Sequence, residues 1–114
     1  MSEPAFELAV AAIGGVLAVE VRGELAVGTH EALRQCLDQA RRGGRPVVLD
    51  LTGTQAIDDA GIQTLMEAHR RLATRLRVVI VRGSPAHLAL KRAGVSHVLA
   101  VHGSRAEALA ATGG

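Results

Sequence analysis

An α/β domain is what this sequence predicts: a mixed, mostly parallel sheet of about five strands with about four helices. Three observations point to it. Strand-type and helix-type apolar periods alternate along 114 residues, with no linker, repeat or low-complexity segment between them. The later strands are apolar on both faces, as central parallel strands are. The composition is 48% hydrophobic with Phe6 as the only aromatic, so the core consists of thin aliphatic layers between sheet and helices. A chain this short is expected to form one domain, with its core over roughly residues 6–110.

The elements follow in order. Phe6, Leu8 and Val10 alternate with Glu7 and Ala9, and a second apolar run covers Val16 to Val21. Gly14-Gly15 between them reads as the tight turn of a β-hairpin, which needs positive φ. Leu33, Cys36, Leu37 and Ala40 then recur at offsets 0, 3, 4 and 7, a helix stripe. Gly28 or Thr29 can start this helix. Gly43-Gly44 ends it after Arg41 and Arg42, which suit its negative end. Pro46 opens the strand Val47 to Leu51.

The second helix carries Ile62, Leu65, Met66, His69, Leu72, Ala73 and Leu76 on one stripe, with Arg70, Arg71, Arg75 and Arg77 at its far end. A strand over Val78 to Val81 follows. Ser84-Pro85 is an N-cap with proline at the first helical position, and Gly94 closes that short helix. Val98 to Val101 reads as the last strand. Ser104 and Glu107 form a capping box for a helix through Leu109.

In a parallel sheet every strand-to-helix loop lies at one edge, where such folds carry their function. That edge gathers Gly23 to Thr29, Thr52 to Ala60, Gly83-Ser84 and Gly103-Ser104, and the arginine clusters fall at the opposite edge. Thirteen basic and eleven acidic residues leave a net charge of +2, a weak signal for a polyanion partner. The missing aromatics argue against modules that stack single-stranded bases, so no nucleic acid is expected. The lone Cys36 excludes an internal disulfide framework and a multi-cysteine zinc site, and reads as a small core residue. Residues 30, 69, 87, 97 and 102 are histidines without metal-ligand spacing. No signal peptide or bilayer-spanning run is visible, so a cytoplasmic domain without membrane insertion is expected.

The most informative stretch runs from Val47-Val48-Leu49-Asp50-Leu51 through Thr52-Gly53-Thr54-Gln55-Ala56-Ile57 to Asp58-Asp59-Ala60-Gly61-Ile62. A buried strand leads into adjacent carboxylates at a helix N-terminus. One aspartate there is an ordinary cap. Two in a row repel, and glycine in a first turn costs about 1 kcal/mol against alanine. Gly61 therefore suggests a close approach, by another element or by a partner. Capping and recognition stand as equal alternatives for this pair.

At these residues the sequence resembles the STAS domain, the anti-sigma-factor antagonist family. The resemblance rests on V-V-L-D-L followed by T-G-T-Q-A-I-D-D-A-G-I, on Gly23-Glu24-Leu25 before the first helix, and on Leu90 through Gly94-Val95. It covers roughly residues 6–110. It implies a non-catalytic bacterial partner-switching protein that binds an anti-sigma factor or serine-kinase-like protein. The kinase in such systems phosphorylates a Ser or Thr just after the motif's first Asp. Here that position holds Asp59, and Ala60 follows, so the usual serine switch is absent and Asp59 is expected to act as a fixed negative charge, either mimicking the phosphorylated state or fitting a partner that prefers a carboxylate. Ala26-Val27 stand where the family commonly has Asp.

The resemblance also implies the expected partner-facing residues, namely Glu24, Thr29, Thr54, Asp58, Asp59, Ala60, Gly61, Gln63, Glu67 and Ser84. Thr52, Thr54 and Ser84 are alternative phosphoacceptors on the same edge, though each reads more simply as a turn or cap hydroxyl. A second implied reading is a STAS subunit of a lipid-transport complex that docks a transporter ATPase. No catalytic residue, cofactor or metal is expected, and the chain is expected to be a monomer or weak homodimer.

Overall fold

A computed structural model describes residues 6–112. Its six strands and four α-helices run β1 (Phe6–Ile13), β2 (Val16–Leu25), α1 (His30–Arg42), β3 (Val47–Asp50), β4 (Thr54–Ile57), α2 (Asp59–Leu72), β5 (Leu76–Val79), α3 (Pro85–Arg92), β6 (Val101–His102) and α4 (Arg105–Thr112). A 3-10 turn, Ala73–Arg75, separates α2 from β5. The sheet order is β1-β2-β3-β5-β6, with β4 also paired to β2. Only the β1–β2 pair is antiparallel.

Alternation along the strands splits the interior into two layers. Val19, Val21, Leu49, Val78 and Ile80 meet the buried sides of α1, α2 and α3 in the main core. Val16, Val48 and Val79 point the other way, against Ala108 of α4. The aliphatic composition suits this arrangement, because a sheet about 10 Å from its helices leaves room for one branched side chain per layer.

Three boundaries and one helix face differ from the sequence reading. A short strand, β4, lies inside what reads as the loop Thr52 to Ala60. It pairs with the far half of the long strand β2 across a register shift between Gly23 and Glu24, where Gly23 takes φ +92°. The second helix stops at Leu72, because Ala73 takes φ 51°, so Leu76 begins β5 instead of extending the helix stripe. The last strand is Val101–His102, not Val98 to Val101. The buried line of α2 is Gly61, Thr64, Leu65, Ala68 and Leu72, about one position round from the expected stripe, and Ile62, Met66 and His69 are only half-buried. Cys36, expected in the core, is half-buried at its margin, where desolvation raises its thiol pKa.

Candidate functional site at the start of helix α2

The C-terminal ends of β2 and β4 bring two loops together. Asp58 joins them. Its backbone N–H donates to the Leu25 carbonyl at 3.2 Å. Its Oδ1 accepts from the Gly61 N–H at 3.0 Å, the N-cap bond of α2. Its Oδ2 accepts from the Val27 N–H at 3.1 Å, across 31 residues of chain. The N–H groups of Gly61 and Val27 favour the ionised carboxyl and hold it below the usual carboxylate range. All of this is capping and stitching, so Asp58, although exposed, has its carboxylate engaged by the chain itself.

Gly61 completes the joint. A β-carbon there would meet the carbonyl oxygen of Leu25 and lie 2.8 Å from Cγ2 of Ile57. The close approach inferred from the glycine is therefore made by the end of β2. Thr29 shapes the other loop. Its hydroxyl donates to the Glu24 carbonyl at 2.7 Å and accepts from the Ala26 N–H at 2.8 Å. It occupies the N-cap position of α1, but no side-chain bond caps the helix.

Asp59, one residue after the cap, is exposed, and among the described residues its carboxylate has neither an ion pair nor a side-chain hydrogen bond. Gln63, one turn along α2, is also exposed, as is Glu24 across the joint. Ala60 is half-buried, and its carbonyl accepts from the Thr64 hydroxyl. Glu67 is half-exposed and forms an ion pair with Arg71 at 3.2 Å.

Of the expected partner-facing residues Thr54 is buried, and the half-exposed Ser84 also caps a helix. Thr54 is 1% exposed and donates its hydroxyl to the Val21 carbonyl at 2.8 Å, so it is closed to any partner or kinase. Ser84 caps α3 by accepting from the His87 N–H at 3.2 Å. One candidate was missed. Val27 is 77% exposed at the tip of the loop held by Asp58. The signal available in the sequence was the apolar Ala26-Val27 pair where a carboxylate is common in the resembling family.

Neither Asp58 nor Asp59 lines the cleft between α1 and α2. The small cleft between α1 and α2, of about 20 Å³, has room for about one water. Among the described residues no group of three or more His, Cys, Asp and Glu could hold a metal ion, and no helix is long and apolar enough to cross a membrane.

Asp58 and its neighbours give a first expected result. Asp58→Ala releases both loops together, so amide exchange accelerates at Val27 as well as at Gly61. Asp58→Asn keeps one carbonyl oxygen and loses part of this protection. Exchange that changes at Gly61 alone would show that the long-range bond to Val27 carries nothing.

Comparison with known proteins agrees with this architecture. Residues 7–108 match the STAS domain family. An anti-sigma factor antagonist from Mycobacterium paratuberculosis superposes with a TM-score of 0.85 at 22% identity, covering 100% of both chains. A putative anti-sigma factor antagonist from Thermotoga maritima gives a TM-score of 0.80 at 12% identity over 94% of this chain and 95% of that one. The Bacillus cell fate determinant SpoIIAA in its phosphorylated form gives 0.63 at 19% identity, over 93% and 97%. No curated protein matches the sequence.

Proposed function

The chain belongs to the STAS domain family, and from that premise we propose that it is a non-catalytic interaction module of a bacterial partner-switching pathway. Its partner is an anti-sigma factor or a serine-kinase-like protein. The docking surface is the Glu24–Thr29 loop with the exposed side of α2 from Asp59 through Gln63 to Glu67. The observation that carries this reading is the division of labour between the two aspartates: the Asp58 carboxylate accepts from the N–H groups of Gly61 and Val27, while the exposed Asp59 carboxylate has no ion pair or side-chain hydrogen bond among the described residues.

SpoIIAA is known in unphosphorylated and phosphorylated forms. A hydroxyl at the acceptor position can exist in both states, whereas Asp59 has one. Its carboxylate supplies about one negative charge where a phosphoserine supplies about 1.5 to 2. The surface is therefore permanently acidic at this point, and its partner must place a donor or a cation there. With no aromatic on the surface, Val27 provides the apolar part of the contact.

The test is affinity purification with the folded chain as bait, followed by titration of the captured anti-sigma or kinase-like protein. Asp59→Arg is expected to weaken binding by about tenfold or more, since like charges brought together across an interface are strongly unfavourable. Asp59→Ser and Asp59→Ala should weaken it less. Unchanged affinity in all three variants would remove Asp59 from the interface.

A further inference from the structure

Strand β1 is built unlike the other strands. Among the described residues it forms the edge of the sheet, paired with β2 alone. Residues 9–13, Ala-Val-Ala-Ala-Ile, are consecutive, apolar and all exposed, with Val10 at 49% and Ile13 at 42%. Edge strands normally carry a proline, a bulge or several charges that prevent further pairing. β1 has an unbroken register with β2 over its whole length and a single charge, Glu7.

The turn decides which backbone groups are free. Gly14 and Gly15 form a two-residue hairpin loop closed by Ile13 opposite Val16. In such a hairpin the closing pair is hydrogen-bonded, so odd-numbered residues of β1 bond to β2. The N–H and C=O groups of Phe6, Leu8, Val10 and Ala12 therefore point outward. Beside them lies an open trough of about 560 Å³ whose lining includes Leu8, Val10, Leu17 and Cys36. Ala32, Gln35 and Gln39 form its α1 side and Arg45 is its one charged lining residue, while the charged Glu31, Arg34 and Asp38 of α1 are engaged in ion pairs elsewhere.

We propose that β1 is the interface of a symmetric homodimer, two copies pairing it antiparallel so that Ala9 faces Ala9 across the two-fold axis. An axis normal to the sheet keeps α1 of both copies on one side, as a shared sheet face requires. The register follows from the free groups. Centred on Ala9, it places Leu8 opposite Val10 and Phe6 opposite Ala12 of the second copy, all outward-bonding residues within the strand. Centring on Val10 would push Phe6 against the turn. The chosen register also sets Glu7 opposite Ala11, so the only charge on the strand meets a methyl group and not its twin. A second copy is thus complementary in hydrogen bonding, apolarity and charge. The Asp59 edge lies on the other side of β2, and the proposal does not depend on its function.

The experiment is sedimentation of the intact chain over a range of concentrations, with Val10→Lys for comparison, plus cysteine crosslinking in a Cys36→Ser background. The expected mass is that of two chains, falling to one on dilution. Val10→Lys should weaken dimerisation by about tenfold or more, because a charge on an edge opposes pairing. Ala9→Cys should form a disulfide-linked dimer on mild oxidation, because directly opposed non-hydrogen-bonded residues have Cα atoms about 4.5 Å apart. Ala11→Cys should not, since its counterpart lies about 14 Å along the strand. A mass of one chain at every concentration overturns the proposal, even if a foreign strand later binds there. So does a dimer that Val10→Lys leaves intact, or crosslinking as fast at position 11 as at position 9.

Discussion

Gly61→Ala is expected to destabilise the protein by about 1–3 kcal/mol, the usual cost of forcing extra volume into a closed contact. The sign is informative. In an open helix the same substitution would stabilise by about 1 kcal/mol, because alanine loses less backbone freedom than glycine. Here the new methyl would press on the Leu25 carbonyl and on Ile57, so α2 must shift or the end of β2 must yield. Backbone cannot move aside as a flexible side-chain tip can. Urea unfolding should show a lower midpoint with an unchanged slope. A raised midpoint would mean that the joint between β2 and α2 has room for a methyl group. Because the same joint presents Val27 and Asp59, partner affinity should fall with it.

The second large effect concerns Asp50, on the other side of the sheet. Its side chain is buried at the end of β3. Oδ1 accepts from the Thr52 N–H at 2.9 Å, and Oδ2 accepts from Nε of Arg105, the first residue of α4, at 2.6 Å. Glu20 lies 3.7 Å from the same guanidinium. Burial alone pushes the Asp50 carboxyl up, but the hydrogen bonds from Thr52 and Arg105 outweigh it and hold the carboxyl below its ordinary value. Asp50→Ala should cost about 1.5–3 kcal/mol by leaving those donors without a partner. Partial exposure of Arg105 keeps the loss toward the lower end.

The pH dependence follows from the direction of the shift. Near and below the ordinary carboxylate pKa of about 4, the unfolded chain binds a proton at Asp50 more readily than the folded chain. Stability from this group is therefore complete above that value and is lost as pH falls through the lower, folded-state pKa. Glu31, Asp38 and Asp58 are shifted the same way, so acid loss in the parent protein is shared among them. The contrast with Asp50→Asn isolates one contribution. The parent should lose more stability than the variant on acidification below about pH 4. Equal acid sensitivity would show that the Asp50–Arg105 bond does not bear on folding.

Much of the architecture was legible in sequence because its signals are local. Gly14-Gly15 between apolar runs marks the hairpin, and both glycines take positive φ. Ser84-Pro85 marks the start of α3, and Ser84 accepts from the His87 N–H as an N-cap should. β4 carried no such mark. Thr54, Gln55, Ala56 and Ile57 lack an apolar alternation, with Gln55 and Ala56 exposed, and they are a strand because the far half of β2 offers them a ladder. The end of α2 was hidden for a related reason. No glycine follows Leu72, Ala73 itself takes the positive φ, and Leu76 keeps the helical spacing by coincidence.

Local sequence was enough to set the alternation of strands and helices, the two carboxylates and the glycine at the start of α2, and the absence of a hydroxyl at the acceptor position. Periods and caps are written within a few residues, where backbone geometry is the only constraint. It could not determine which aspartate is the cap and which is free, nor that Thr54 is buried or Val27 exposed. Those outcomes depend on groups that arrive from elsewhere in the chain, the Val27 N–H, the Leu25 carbonyl and the Val21 carbonyl. Adjacent exposed residues of one type thus take opposite roles, because only tertiary contact decides which carboxylate is bound by backbone N–H groups of the chain and which is left to solvent or a partner.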